Sequence, residues 1–178
     1  YHYYLLNTTN GEKALNYLTD RGMTDATLDT FQLGVAPLNS DVVLQYLSQE
    51  KYSKDQLLAS GIFYENSQGD LVDRFRGRII FPLRNARAEV VGFSGRIYDE
   101  ALTNSSPAKY LNSPETEIFH KTDLVYNLDV ARPKIRQLNQ VIVCEGYMDV
   151  IALNQAGYVH VVATMGTSLT DAHIKQLG

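Results

Sequence analysis

The chain has 178 residues, enough for one domain or one and a half, and 44% of them are hydrophobic, as in a packed globular protein. No apolar run approaches the roughly 20 residues of a membrane span, so no membrane partner is expected. The single cysteine, Cys144, excludes an internal disulfide framework and suits a reducing cytoplasm, while the net charge of −4 argues, on the total alone, against a nucleic-acid partner.

Opening at Tyr1 with no signal peptide, the sequence reads as a piece of a longer protein. Its early part reads as helices. Glu12 to Thr19 sets Ala14, Leu15 and Leu18 on one face. Thr24 is expected to cap a helix carrying Leu28 and Phe31, ended by Gly34. Ser40 is expected to cap the next, with Val43, Leu44 and Leu47 inward. Ser53 and Gln56 form a capping-box pattern, and Gly61 stops that helix.

Hairpin signals follow. Ile62 to Tyr64 and Leu71 to Phe75 flank a polar turn, as do Arg78 to Leu83 and Glu89 to Ile97. Pro82 suggests an edge or a strand end. Asp99 to Ala108 is polar and reads as a mobile loop. Ser113-Pro114-Glu115 reads as a helix start, and Leu128 to Leu138 as a helix that Pro133 delays or kinks. The remainder has a β-α-β-α rhythm. Val141 to Cys144 reads as a buried strand, Asp149 to Gln155 as a helix ended by Gly157, His160 to Ala163 as a second strand, and Asp171 to Leu177 as a helix capped by Thr170. Such alternation implies a parallel sheet. The fold class expected is α/β: an α+β subdomain over residues 1–137, then a partial parallel β-α-β-α unit over 138–178.

Charge is unevenly placed. From Asp73 to Tyr98 stand Arg74, Arg76, Arg78, Arg84, Arg87 and Arg96 against two acids, Asp73 and Glu89. Local patches rather than totals attract phosphates, and the arginine fork suits phosphate oxygens. A solvated strand face would look the same. The strongest local signal is Glu145-Gly146-Tyr147-Met148-Asp149. An apolar strand ends in a glutamate, and a glycine turns the chain into a helix. The carboxylate then lies at the carboxyl end of a parallel strand, where open α/β sheets bind ligands. Asp149 can point back over the same edge. A glutamate that merely caps a helix is the plainer alternative. His2, His120, His160 and His173 lack metal-ligand spacing.

Glu145 to Val150, followed by Gly166-Thr167-Ser168-Leu169-Thr170, resembles the start of a Toprim domain, shared by DnaG-type primases, topoisomerases and related nucleases. Upstream segments select the primases. Asp73-Arg74-Phe75-Arg76-Gly77-Arg78 with Phe81-Pro82, Val91 to Arg96, Lys109 to Thr116, Phe119-His120-Lys121 and Tyr17 to Gly22 each resemble that family. The resemblance implies DNA-templated joining of ribonucleotides, with Glu145 the acidic residue of the first Toprim motif, as metal ligand or proton-transfer group, and Asp149 a second acidic candidate. It ties Arg21, Arg96, Lys109 and Lys121 to nucleotide or primer–template binding, and Arg74 and Arg76 to a basic strand. Tyr110 and Asn112 beside Lys109 suit contact with single-stranded DNA.

By the same resemblance the full enzyme uses divalent metal, magnesium or manganese, and zinc in a separate amino-terminal domain. Its partners are a single-stranded DNA template, ribonucleoside triphosphates and, through a carboxyl-terminal region, the replicative helicase of a cytoplasmic bacterial replisome. The family's metal-holding Asp-x-Asp strand does not occur in these residues, so 1–178 alone is expected to be inactive. Two readings compete: another Toprim enzyme, nuclease or topoisomerase, or a non-catalytic module that binds single-stranded DNA.

Overall fold

A computed structural model describes residues 1–99, 101, 108–165 and 169–177. Most of the loop expected from Asp99 to Ala108 and the whole Gly166-Thr167-Ser168 turn lie outside the described residues. The chain divides into two compact units, Tyr1–Pro82 with Gly92–Thr116, and Leu83–Val91 with Glu117–Gly178. The architecture is the expected mixture of helix and strand.

The first unit opens with α1 (His2–Asn7), a short helix the periodicity does not signal, and a 3-10 turn leading into α2 (Glu12–Thr19). Ala14 and Leu18 fix α2 to the core, each 0% exposed. In α3 (Asp25–Phe31) the Thr24 hydroxyl caps Thr27 N, as expected. The helix stops not at Gly34 but at Gln32, which takes a left-handed φ of 51°. Gly34 instead begins β1 (Gly34–Val35), where a Cβ would meet the Tyr1 backbone at 2.6 Å.

Ser40 holds the expected N-cap position of α4 (Asp41–Gln49), but its side chain makes no capping hydrogen bond. Its hydroxyl accepts from Asp73 N, while Asn39 Oδ1 takes the Asp41 N–H. The expected capping box of α5 (Lys54–Ala59) is complete, with Ser53 and Gln56 each accepting the other's backbone N–H.

The strands β2 (Phe63–Glu65) and β3 (Leu71–Asp73) form an antiparallel hairpin. A second sheet has the order β1-β4-β5-β6, with β4 Arg78–Arg84, β5 Val90–Ile97 and β6 Tyr110–Asn112. Pro82 therefore sits in an internal strand rather than an edge. The Arg78 carbonyl bonds toward β1, through Ala36 N, so the two-residue period turns Pro82 to that same side. The register pairs β1 only with Ile79 and Ile80, and no partner there awaits the N–H that proline lacks.

No helix starts at Ser113-Pro114. Ser113 continues the β5–β6 ladder instead: its N–H donates to Phe93 O, and its hydroxyl accepts from Phe93 N.

In the second unit β7 (Val125–Tyr126), β9 (Val161–Thr164) and β8 (Ile142–Cys144) form a sheet in that order. The β8 and β9 strands are parallel and joined by α7 (Tyr147–Gln155), as the β-α-β rhythm requires. The antiparallel β7 was not signalled, because two residues are too few for a period. The helix α6 (Leu128–Leu138) does not start late, since it runs through Pro133 from Leu128 onward. It is preceded by Asn127, whose amide donates to Val161 O at 2.8 Å.

Val125, Leu128, Ala131, Ile135 and Val162 make the core of this unit. The strand β8 is not buried as expected. It forms the sheet edge among the described residues, and Val143 is 43% exposed. The last helix, α8 (Asp171–Leu177), has the expected cap, with Thr170 Oγ1 accepting from His173 N.

Candidate functional site

Each unit carries its own cluster. In the first, a turn after α2 exposes Arg21. Arg21 N bonds Leu18 O, Gly22 N bonds Thr19 O, and Gly22 supplies the positive φ of 81° that turns the chain. The Arg21 guanidinium lies 4.6 Å from the centroid of the Tyr17 ring, one helical turn back. Arg96 approaches the same ring at 5.3 Å from β5, and the ring of Tyr110, its partner across the β5–β6 register, at 5.5 Å. Arg96 is only 6% exposed, and its Nε has no hydrogen-bond partner. Lys109 is exposed beside Tyr110, and Asn112 stands opposite Ser94. Thus the structure gathers Arg21, Arg96 and Tyr110 from distant stretches of chain.

Arg78, counted in the sequence among the basic patch, has a different task. It is 3% exposed, and Nη1 donates to Gly95 O at 3.2 Å, Ala108 O at 3.1 Å and Lys109 O at 3.4 Å. It ties β5 to the strand that presents Lys109 and Tyr110. Burial pulls its guanidinium below the usual arginine value, and three carbonyls offset that cost. Gly95 admits it, because a Cβ there would stand 2.9 Å from both Arg78 Cδ and Phe75 Cδ1. A glycine inside a strand marks close approach and was the available signal.

Arg74 and Arg76 have other surroundings. Arg74 donates through Nε to Gly61 O and lies 5.7 Å from the Tyr64 ring centroid. Arg76 is exposed along an open groove that it shares with Asn39, Asp41, Asn66 and Asp70. Beneath them Asp73 is 1% exposed and accepts from Tyr1 OH at 2.8 Å and Phe75 N at 2.7 Å. Burial raises its carboxyl above the ordinary aspartate value, against the opposing pull of those two donors and the Arg76 charge.

The second unit holds Glu145, Asp149 and Lys121. Glu145 directly follows β8, is exposed, and carries no hydrogen bond or ion pair among the described residues. Gly146 is the extended N-cap of α7. Asp149, in the first helical turn, folds back over it: a Cβ on Gly146 would sit 3.2 Å from Asp149 Oδ2. Both residues therefore flank one turn, Glu145 before Gly146 and Asp149 in the helix after it. Burial, then the Asp149 charge, pushes the neighbouring Cys144 thiol up. Tyr147 anchors the turn, its hydroxyl 3.1 Å from Met165 Sδ and its ring 4.8 Å from that of Tyr126. Lys121 is half-buried in a turn that Asp123 N closes onto His120 O. No cluster of three or more metal-ligating side chains occurs among the described residues.

A cationic, ring-lined cluster thus lies in one unit and a carboxylate turn on a parallel strand in the other. The family described as DNA primase catalytic core, N-terminal domain, matches residues 1–132, and a Toprim domain matches 139–178. The chain belongs to the DnaG-type bacterial DNA primase family.

The DNA primase of Staphylococcus aureus strain COL is 47% identical over 175 residues, spanning 98% of this chain and 28% of that protein. The RNA polymerase domain of Mycobacterium tuberculosis primase DnaG superposes with a TM-score of 0.90 at 32% identity, over 97% of this chain and 55% of that one. A DnaG primase catalytic domain bound to single-stranded DNA gives 0.85 at 38% identity, over 97% and 52%. The chain thus spans little more than a quarter of its curated relative.

Proposed function

We propose that these residues form part of the catalytic core of an enzyme that joins ribonucleotides into primers on single-stranded DNA. The observation that carries the proposal is the Glu145 turn: an exposed carboxylate at the carboxyl end of a parallel strand, with Asp149 folded over the glycine that follows it. In this reading Glu145 and Asp149 serve the reacting phosphate. Arg21, Arg96, Lys109 and Lys121 hold phosphates of nucleotide or primer–template. Tyr110 and Asn112 contact the template strand, and Arg74 and Arg76 contribute a basic strand. The relative bound to single-stranded DNA supports this choice of partner.

The family's divalent ion, magnesium or manganese, needs more ligands than Glu145 and Asp149 supply, since two-ion transfer uses several carboxylates. We place the missing set in an Asp-x-Asp strand outside residues 1–178, zinc in a separate amino-terminal domain, and helicase contact in a carboxyl-terminal region. No helix of the described residues is long and apolar enough to cross a membrane, and the proposed setting is the cytoplasmic replisome.

The test uses the full-length protein. Glu145→Gln keeps size and polarity and should lower primer synthesis at least about 100-fold, with affinity for a single-stranded oligonucleotide unchanged. Residues 1–178 alone should make no primer with template, ribonucleotides and metal. Near-normal synthesis by the Glu145→Gln enzyme would remove Glu145 from the mechanism. An inactive full-length wild type that still binds DNA would favour the non-catalytic binding module.

A further inference from the structure

Two arginines share one tyrosine ring. The guanidinium carbons of Arg21 and Arg96 lie 4.6 Å and 5.3 Å from the Tyr17 ring centroid, both inside the roughly 6 Å reach of a cation–π contact. They come from different places, Arg21 from the turn after α2 and Arg96 from β5. Neither takes part in any of the ion pairs among the described residues. Two like charges on one ring repel each other, and no carboxylate is paired with either. The negative face of the ring is the one attraction common to both. Arg96 also keeps a buried Nε–H without an acceptor. A buried donor left unmade is costly, and the cost would be relieved by an anionic oxygen.

We propose that Tyr17 is a positioning residue, whose ring gathers Arg21 and Arg96 into one paired cation for phosphate oxygens. The inference rests on the proposed role of those arginines in binding phosphate-bearing ligands. The phosphates can belong to a nucleoside triphosphate or to a nucleic-acid backbone. Tyr17 itself is half-buried, and Ala14 and Leu18, not Tyr17, seat α2 in the core. Its ring also meets that of Tyr98, at 6.4 Å between centroids, at the margin of the core.

The experiment compares Tyr17→Leu, Tyr17→Phe and the double variant Arg21→Ala/Arg96→Ala in the full-length protein. One arm follows anisotropy of a fluorescein-labelled single-stranded oligonucleotide. The other measures KM and kcat for ribonucleoside triphosphates in primer synthesis. The expected result is a loss of about tenfold in oligonucleotide affinity or in KM for Tyr17→Leu, with kcat within about twofold, since two ring contacts are removed. The arm that moves identifies the source of the phosphate. Tyr17→Phe keeps the ring and should return both arms to within about twofold of wild type. Added to the double arginine variant, Tyr17→Leu should cost less than about twofold more, because its effect acts through those side chains.

If the double arginine variant moves neither arm, the phosphate-binding reading fails and the role of Tyr17 fails with it. If the arginines matter but Tyr17→Leu matches wild type, or adds its full loss to theirs, the positioning role is overturned and the reading stands. Should Tyr17→Leu lose a cooperative melt, Tyr17→Gln, suited to a half-exposed helix, carries the same expectations.

Discussion

Arg96 is 6% exposed and lies near two tyrosine rings, whereas Glu145 stands exposed after the last residue of β8, an edge strand among the described residues. The first unit orients its charges through packed side chains and the buried brace of Arg78. The second orients its charges through backbone, a strand end followed by a glycine and a helix. Side-chain packing ties a site to the stability of its domain, and a backbone turn does not. Substitutions in the buried brace of the first unit should therefore cost folding energy, and those at the Glu145 turn of the second should cost chemistry alone.

The sharpest break would come at Arg78. Arg78→Met fills similar volume but strands the carbonyls of Gly95, Ala108 and Lys109. A destabilisation of about 3 kcal/mol is expected, read as a lowered denaturation midpoint, with weaker oligonucleotide binding as a consequence. Gly95→Ala attacks the same brace from the other side, by crowding Arg78 Cδ and Phe75 Cδ1. It should cost about 2 kcal/mol. Equal midpoints for wild type and Gly95→Ala would show that the brace yields.

A smaller effect follows from Asp73. Its carboxyl pKa is raised by burial, so the folded chain binds this proton more tightly than the unfolded chain. Its stabilising contribution is therefore fully present below the unfolded value and is lost as pH rises through the raised one. Asp73→Asn removes the titration. As pH falls from 7 toward 4, the stability difference should shift in favour of wild type, and a pH-independent difference would contradict the burial argument. Least of all, Glu145→Gln should leave stability within about 0.5 kcal/mol of wild type, as for an exposed group without partners. A large loss there would erase the contrast between the two units.

Local chemistry made much of this legible. The capping box at Ser53 and the parallel β8–β9 pair follow from spacing alone. So does the Thr170 cap. Errors arose where a side chain was claimed by a distant partner. Ser40 stands before α4 but its hydroxyl serves Asp73 N, and Ser113 serves Phe93 and begins no helix. Arg78 looked like its neighbours because a charge count does not tell which face of a strand turns inward. The placing of Glu145 and Asp149 on either side of the Gly146 turn was readable, since a turn is local. The sharing of Tyr17 by Arg21 and Arg96 was only half readable. The spacing of Tyr17 and Arg21 is helical, but the arrival of Arg96 depends on the path of β5.

Among the described residues β8 is hydrogen-bonded along one side only, through three register pairs with β9. In residues 1–178 taken alone, its amides are expected to exchange with solvent by local opening, at lower free energy than those of β9, which is flanked on both sides. The strand that ends in Glu145 is thus also a reporter. Any ligand gripped at that carboxylate must hold the strand closed, and its binding will register as slowed deuterium uptake at Ile142, Val143 and Cys144, with no need for turnover.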